Sequence, residues 1–142
     1  MSEIPHQIAD ALWRIEAAGV PRREHRVRVG GAAFNAGELT AEILRGRESA
    51  ADAPELVLIA SYSGDDEEAL KCFEDESDAQ RVVICTAGEL AKRAREEGVP
   101  VIGVPAGFDD PREALLYYVL AAFVLSAPEL QPDADLLGRL LT

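Results

Sequence analysis

The stretch from Leu56 to Leu70, LVLIASYSGDDEEAL, decides how this chain is read. Its first half, LVLIAS, is an unbroken apolar run without alternation, the pattern of a strand buried on both faces of a sheet. Ser61-Tyr62-Ser63-Gly64 supplies a turn. Asp65 to Glu68 then place four acids at the start of a helical pattern. Strand, small-residue turn and helix in that order form a β-α unit. Hydroxyls and the free N–H groups of a helix start suit an anion. The four acids stand where that anion would sit.

Working outward, three more apolar runs match the first: HRVRVGG (25–31), QRVVICT (80–86) and PVIGVP (100–105). Helical patterns lie between them, in FNAGELTAEILRG, DDEEALKCFEDE and GELAKRAREEG. PHQIADALWRIEAAG precedes the set, and DPREALLYYVLAAFVLSA follows it. Alternating strands and helices predict a three-layer α/β/α sandwich around a parallel sheet of four or five strands. The run at 25–31 alternates polar and apolar residues, as an edge strand does. RESAADAPE (47–55) reads as a loop, and PDADLLGRLL as a short amphipathic helix.

The chain has 142 residues, 48% of them apolar, which predicts a single folded domain over 1–142. A formal net charge of −12 argues against nucleic-acid or anionic-membrane partners, which need basic patches. Cys72 and Cys85 have no metal-ligand spacing, and no metal or cofactor motif is found. The first residues, MSEIPHQIADALW, carry no apolar signal core, so a cytoplasmic location is expected. His6 and His25 are both expected at the surface.

The helix at 111–127 is unusual. Pro111 suits a first turn, and no charge occurs from Ala114 to Leu125. A helix apolar all round is buried on more than one side. One side packs on the sheet. A second subunit is expected on the other, giving a homodimer with Tyr117, Tyr118, Leu120 and Phe123 at the contact.

In an open parallel sheet, ligands lie beyond the carboxyl ends of the strands. Those ends carry Gly30-Gly31-Ala32-Ala33, Ser61 to Gly64, Thr86-Ala87-Gly88 and Pro105-Ala106-Gly107, all rich in small or hydroxyl residues. Turns and helix caps also use such residues, so each end alone is ambiguous. SYSG, with two serines around a tyrosine, exceeds what a cap requires. Asp65 and Glu68 have capping-box spacing, which predicts that Asp65 caps its own helix. An ionised Asp66 beside a phosphate would repel it, unless a cation such as Arg28 or Arg112 compensates.

These motifs resemble the sugar isomerase (SIS) domain, whose signature S-x-S-G-x-T-x-E aligns with Ser61 to Glu68. More closely, the chain resembles the first half of the bifunctional phosphoglucose/phosphomannose isomerases over about residues 26 to 127. RVGGA (28–32), SYSGDDEEA (61–69), TAGELA (86–91), GVPVIGVP (98–105) and PREAL (111–115) stand where that family has its Gly-Gly-Ser loop, SYSGNTEET, its Thr-x-Gly-Gly turn, GVPVI.VP and a Pro-Arg-x-Ala-Leu helix.

The resemblance implies a flavodoxin-like SIS domain that binds a phosphosugar. Gly31, Ala32, Ser61, Ser63, Gly64, Asp66, Thr86 and Arg112 would contact it. Arg112 matches an arginine at the sugar's reacting end; pairing with Asp109 or Asp110 is its other reading. Glu89 is the remaining acid near the crevice and the candidate base. The departures matter equally. Ala32 replaces the loop serine, Asp66 the phosphate-binding threonine, and Gly88-Glu89 a Gly-Gly turn. The family's proton-transfer Glu and ring-opening His belong to a second domain, which this sequence does not include. The expectation is therefore binding with little or no isomerase activity alone. The alternatives are an active aldose–ketose isomerase, as a homodimer or beside a second chain, and a structural domain without a ligand.

Overall fold

A computed structural model describes residues 3–20, 24–31, 53–107 and 114–126. Its elements, in chain order, are α1 (Glu3–Ala17), β1 (Arg26–Gly31), β2 (Glu55–Ala60), α2 (Glu67–Asp75), β3 (Arg81–Cys85), α3 (Gly88–Glu96), β4 (Val101–Gly103) and α4 (Leu115–Ser126). Four parallel strands pair in the order β1-β2-β3-β4. The expected three-layer sandwich is present. The segments read as FNAGELTAEILRG and PDADLLGRLL helices lie outside the described residues, as do Ala32 and Arg112.

Side-chain alternation divides the core into two layers. Leu56, Leu58, Ala60, Val82, Ile84 and Ile102 face α1 and α4. Val57, Ile59, Val83 and Cys85 face α2 and α3. This explains the unbroken apolar runs: both faces of β2 and β3 are covered, so no position needs to be polar. α2 and α3 pack in the same layer, as right-handed crossovers require when the strand order does not reverse among the described strands. β1 lies at one end of the sheet, and its alternation survives as exposed Arg26 and Arg28 beside half-buried Val27 and Val29.

Two expectations are corrected here. The four side chains proposed for a dimer contact, Tyr117, Tyr118, Leu120 and Phe123, are all buried within one chain. The second surface that α4 requires is α1. Asp10 on α1 accepts the Tyr117 hydroxyl (2.8 Å) and Arg14 Nε (2.9 Å), and Arg14 Nη1 donates to the Gly103 carbonyl (3.1 Å). One carboxylate thus ties α1 to both α4 and β4.

His25 is fully buried rather than superficial. Its N–H donates to the Leu125 carbonyl (3.0 Å), and its ring Nδ1 lies 3.1 Å from the same oxygen. The last carbonyls of a helix have no partner within it. His25 satisfies one of them at the end of α4, and this requirement draws it inside. His6 is exposed, as expected.

Candidate functional site

The strands deliver their carboxyl ends in register. Gly31 pairs with Ala60, and Ala60 with Ile84. Gly31 has φ of +81°, and a side chain there would press on the Ala60 backbone, so glycine is required for both reasons. Beyond Ala60 the ladder continues: the Ser61 N–H donates to Ile84 O (3.0 Å) and the Thr86 N–H to Tyr62 O (3.1 Å). Ser61, Tyr62 and Thr86 are thus fixed at the floor of the crevice by backbone pairing.

The turn 61–66 locks onto the start of α3. Gly64 has φ of +82°, and an added Cβ would overlap the Ala87 carbonyl oxygen. The Leu90 N–H donates to Gly64 O (2.9 Å), and the Glu89 N–H donates to Asp65 Oδ1 (2.9 Å). Asp65 therefore caps the following helix, α3, and not α2 as its spacing with Glu68 predicted. The N-cap position of α2 is Asp66, whose side chain makes no capping bond. At the start of α3 the Asp65 carboxylate thus occupies the place an external anion would take.

The rest of the turn is bonded inward too. The Gly64 N–H donates to Ser61 Oγ (3.0 Å), and the Asp65 N–H donates to Ser63 Oγ (3.0 Å). The Ser61 hydroxyl donates to Asp66 Oδ2. Thr86 Oγ1 donates to Tyr62 O (2.6 Å). Ser61 is buried and Ser63 exposed. The structure thus brings together Gly31, Ser61, Ser63, Gly64, Asp66 and Thr86; the hydroxyls of Ser61 and Thr86 and the N–H groups of Gly64 and Asp65 already have acceptors within the chain, whereas the start of α2 carries no side-chain cap.

Glu89 begins α3, yet its carboxylate accepts from Arg93 Nε (3.2 Å) along the helix; Arg93 also reaches Glu74 (2.6 Å). Arg28 supplies no compensating charge. It holds Glu55 (2.9 Å) and Glu76 (2.7 Å) at the opposite end of β2 from Ser61, and these bonds push its own pKa further up and that of Glu76 down. Burial pushes the Cys85 thiol, at the end of β3, up to about 11, which leaves it a weak nucleophile.

One group at this edge escaped the sequence reading. The Tyr118 hydroxyl is buried and has no hydrogen-bond partner among the described residues. Burial first, then the charges of Cys85, Asp66 and Tyr62, push its pKa well above the usual tyrosine range. A signal was available: a phenol in a charge-free helix still needs a partner.

No family model matches the chain. Over 76 residues it is 37% identical to a bifunctional phosphoglucose/phosphomannose isomerase of Caldicellulosiruptor bescii. The match takes in 52% of this chain and 22% of that enzyme, so the chain aligns with about a fifth of its relative's length.

Proposed function

We propose that this chain is a carbohydrate-binding domain of the sugar isomerase type, related to the phosphoglucose/phosphomannose isomerases, which holds a sugar phosphate or related carbohydrate without isomerase turnover of its own. The observation that carries this reading is the Ser61–Gly64 turn, seated at the strand ends and bonded to the start of α3. The similarity to an isomerase supports the same ligand class. Ser61, Ser63, Gly64, Asp66, Thr86 and Gly31 line the site, with Ala32 and Arg112 proposed from the resemblance alone.

Aldose–ketose isomerisation needs a base for the C1/C2 proton and a donor for the developing oxyanion. Among the described residues, neither histidine lies at the strand ends, and the Glu89 carboxylate is paired with Arg93. General acid–base groups contribute roughly 10²–10⁴-fold each, so losing two is severe. Two free cysteines suit a reducing, cytoplasmic compartment.

The test is a thermal-shift screen with hexoses, pentoses and their phosphates, beside a coupled assay of glucose 6-phosphate and fructose 6-phosphate interconversion. A shift with no turnover is expected. Turnover near the usual range of about 1–10³ s⁻¹ would replace the binding reading with a catalytic one. Arg112 and Glu89 would then be the residues to substitute first. A homodimer standing in for a two-domain enzyme has to use a surface other than the four buried side chains of α4. Light scattering coupled to size exclusion decides whether one forms.

A further inference from the structure

We infer that the 61–66 turn is a two-state device in which Asp65 exchanges one helix start for another. In the closed state seen here Asp65 caps α3. In an open state it caps α2, which lengthens by one residue and releases the hydroxyls of Ser61 and Ser63 and the Glu89 N–H into the crevice.

Two observations point to the open state. The first is that α2 begins without a cap. Its N-cap residue, Asp66, makes no side-chain capping bond, and the first helical bond runs from the Leu70 N–H to the Asp66 carbonyl (3.0 Å). The first-turn N–H groups of a helix need acceptors from outside it. The second is the spacing of Asp65 and Glu68. With Asp65 as N-cap, Glu68 stands at the third helical position of a capping box, in which each side chain takes the other residue's N–H. The start of α2 thus has a cap in its own sequence, which the closed state employs on α3 instead.

The rearrangement is small and its bonds balance. Asp66 has φ of −64° and ψ of 128°. Its φ is already helical, so rotating ψ to about −42° adds it to the helix. Closure holds the Glu89 N–H on Asp65 Oδ1 (2.9 Å), the Asp65 N–H on Ser63 Oγ (3.0 Å) and the Ser61 hydroxyl on Asp66 Oδ2. Opening gives these up and forms as many: the Glu68 N–H to the Asp65 carboxylate, the Asp65 N–H to the Glu68 carboxylate, and the Ala69 N–H to the Asp65 carbonyl. Asp65 and Glu68 are both exposed, so no core contact holds either in place. A ligand that uses the freed serine hydroxyls or the start of α3 draws the equilibrium toward the open state by its preference for it. The device belongs to the chain without ligand, so its failure would leave the carbohydrate-binding reading standing.

Backbone amide relaxation dispersion on the full chain, which reports exchange on the μs–ms scale, tests this. A common exchange process is expected at Asp65, Ala69 and Glu89. Ser63→Ala removes a bond of the closed state and should lower the hydrogen-exchange protection of the Glu89 amide about fivefold. Glu68→Ala removes a bond of the open state alone and should raise that protection by a similar factor. Simple fraying of the turn would lower it in both variants and would overturn the inference. Protection that Glu68→Ala leaves unchanged would do the same, because the two helix starts then do not compete. So would the absence of exchange at Glu89 in wild type and Ser63→Ala alike.

Discussion

On one face of the sheet, α4 buries ten consecutive residues, Leu116 to Leu125. On the other, α2 buries only Ala69 and Phe73, and α3 only Leu90, Ala91 and Ala94. The first helix is sandwiched between the sheet and α1. The other two have one inner stripe each and a charged outer surface, with Arg93 bridging Glu74 of α2 and Glu89 of α3. The polar groups of the candidate site come almost wholly from the thin face, at the starts of α2 and α3. Among the described residues, the sealed face holds one buried hydroxyl without a partner, that of Tyr118. A rigid floor on one side lets the other side present turns and helix starts to solvent.

The contrast breaks most readily on the sealed face. Ala121→Asp places an unpaired charge where exposure is 0%. Breaking charge balance in a core costs several kcal/mol, a large share of the 5–15 kcal/mol of a whole domain. Loss of cooperative unfolding by circular dichroism is expected; a folded variant would mean that α4 is not sealed.

Gly64→Ala tests the junction between the turn and α3. The positive φ alone costs about 1–3 kcal/mol for a residue with a Cβ. The overlap with Ala87 O adds to it by forcing the two turns apart. Urea titration should show a drop of at least that size, and sugar binding should fail with it.

Alkaline pH probes the tie between α1 and α4. Burial, and then the bond to Asp10, raise Tyr117 to about 12. Unfolded tyrosine ionises near 10, so the folded state holds the proton more tightly. The stabilisation is complete below about pH 10 and is lost as pH rises through about 12. Thermal melts across that window should fall for wild type, and fall less for Tyr117→Phe.

The smallest effect belongs to the outer surface of the thin face. Arg93→Ala removes two partly exposed ion pairs, and exposed pairs contribute about 0–1 kcal/mol. A loss well above that range would show that α2 and α3 are held by their charges rather than by Phe73 and Leu90.

The sheet was legible because buried parallel strands impose a local rule. The runs at 55–61 and 80–86 locate β2 and β3 almost to the residue. The charge-free run from Ala114 to Leu125 likewise announced a helix without an exposed face. What covers that face was not legible, since α1 lies about a hundred residues earlier and its Asp10 looks like any surface acid. Asp65 failed for the same reason. Its spacing with Glu68 is a local pattern, whereas its partner, the Glu89 N–H, arrives from the next β-α unit. His25 reads as polar in sequence; only the end of α4 makes it a core residue. Serines 61 and 63 and Gly64 were found at the strand end, but the directions of their bonds depend on contacts that no periodicity encodes.

The strand order has a consequence for how the molecule comes into being. Because β1, β2, β3 and β4 are neighbours in space in the sequence in which they are synthesised, each strand emerging from a ribosome finds its partner already made. Such local pairing favours rapid, stepwise growth of the sheet. The face formed by Leu56, Leu58, Val82, Ile84 and Ile102, however, has α1 as its cover but lacks α4, which arrives after the last described strand. A nascent chain stalled before Leu115 therefore displays the four described strands with an apolar face that lacks α4, the kind of intermediate that chaperones capture and that otherwise aggregates.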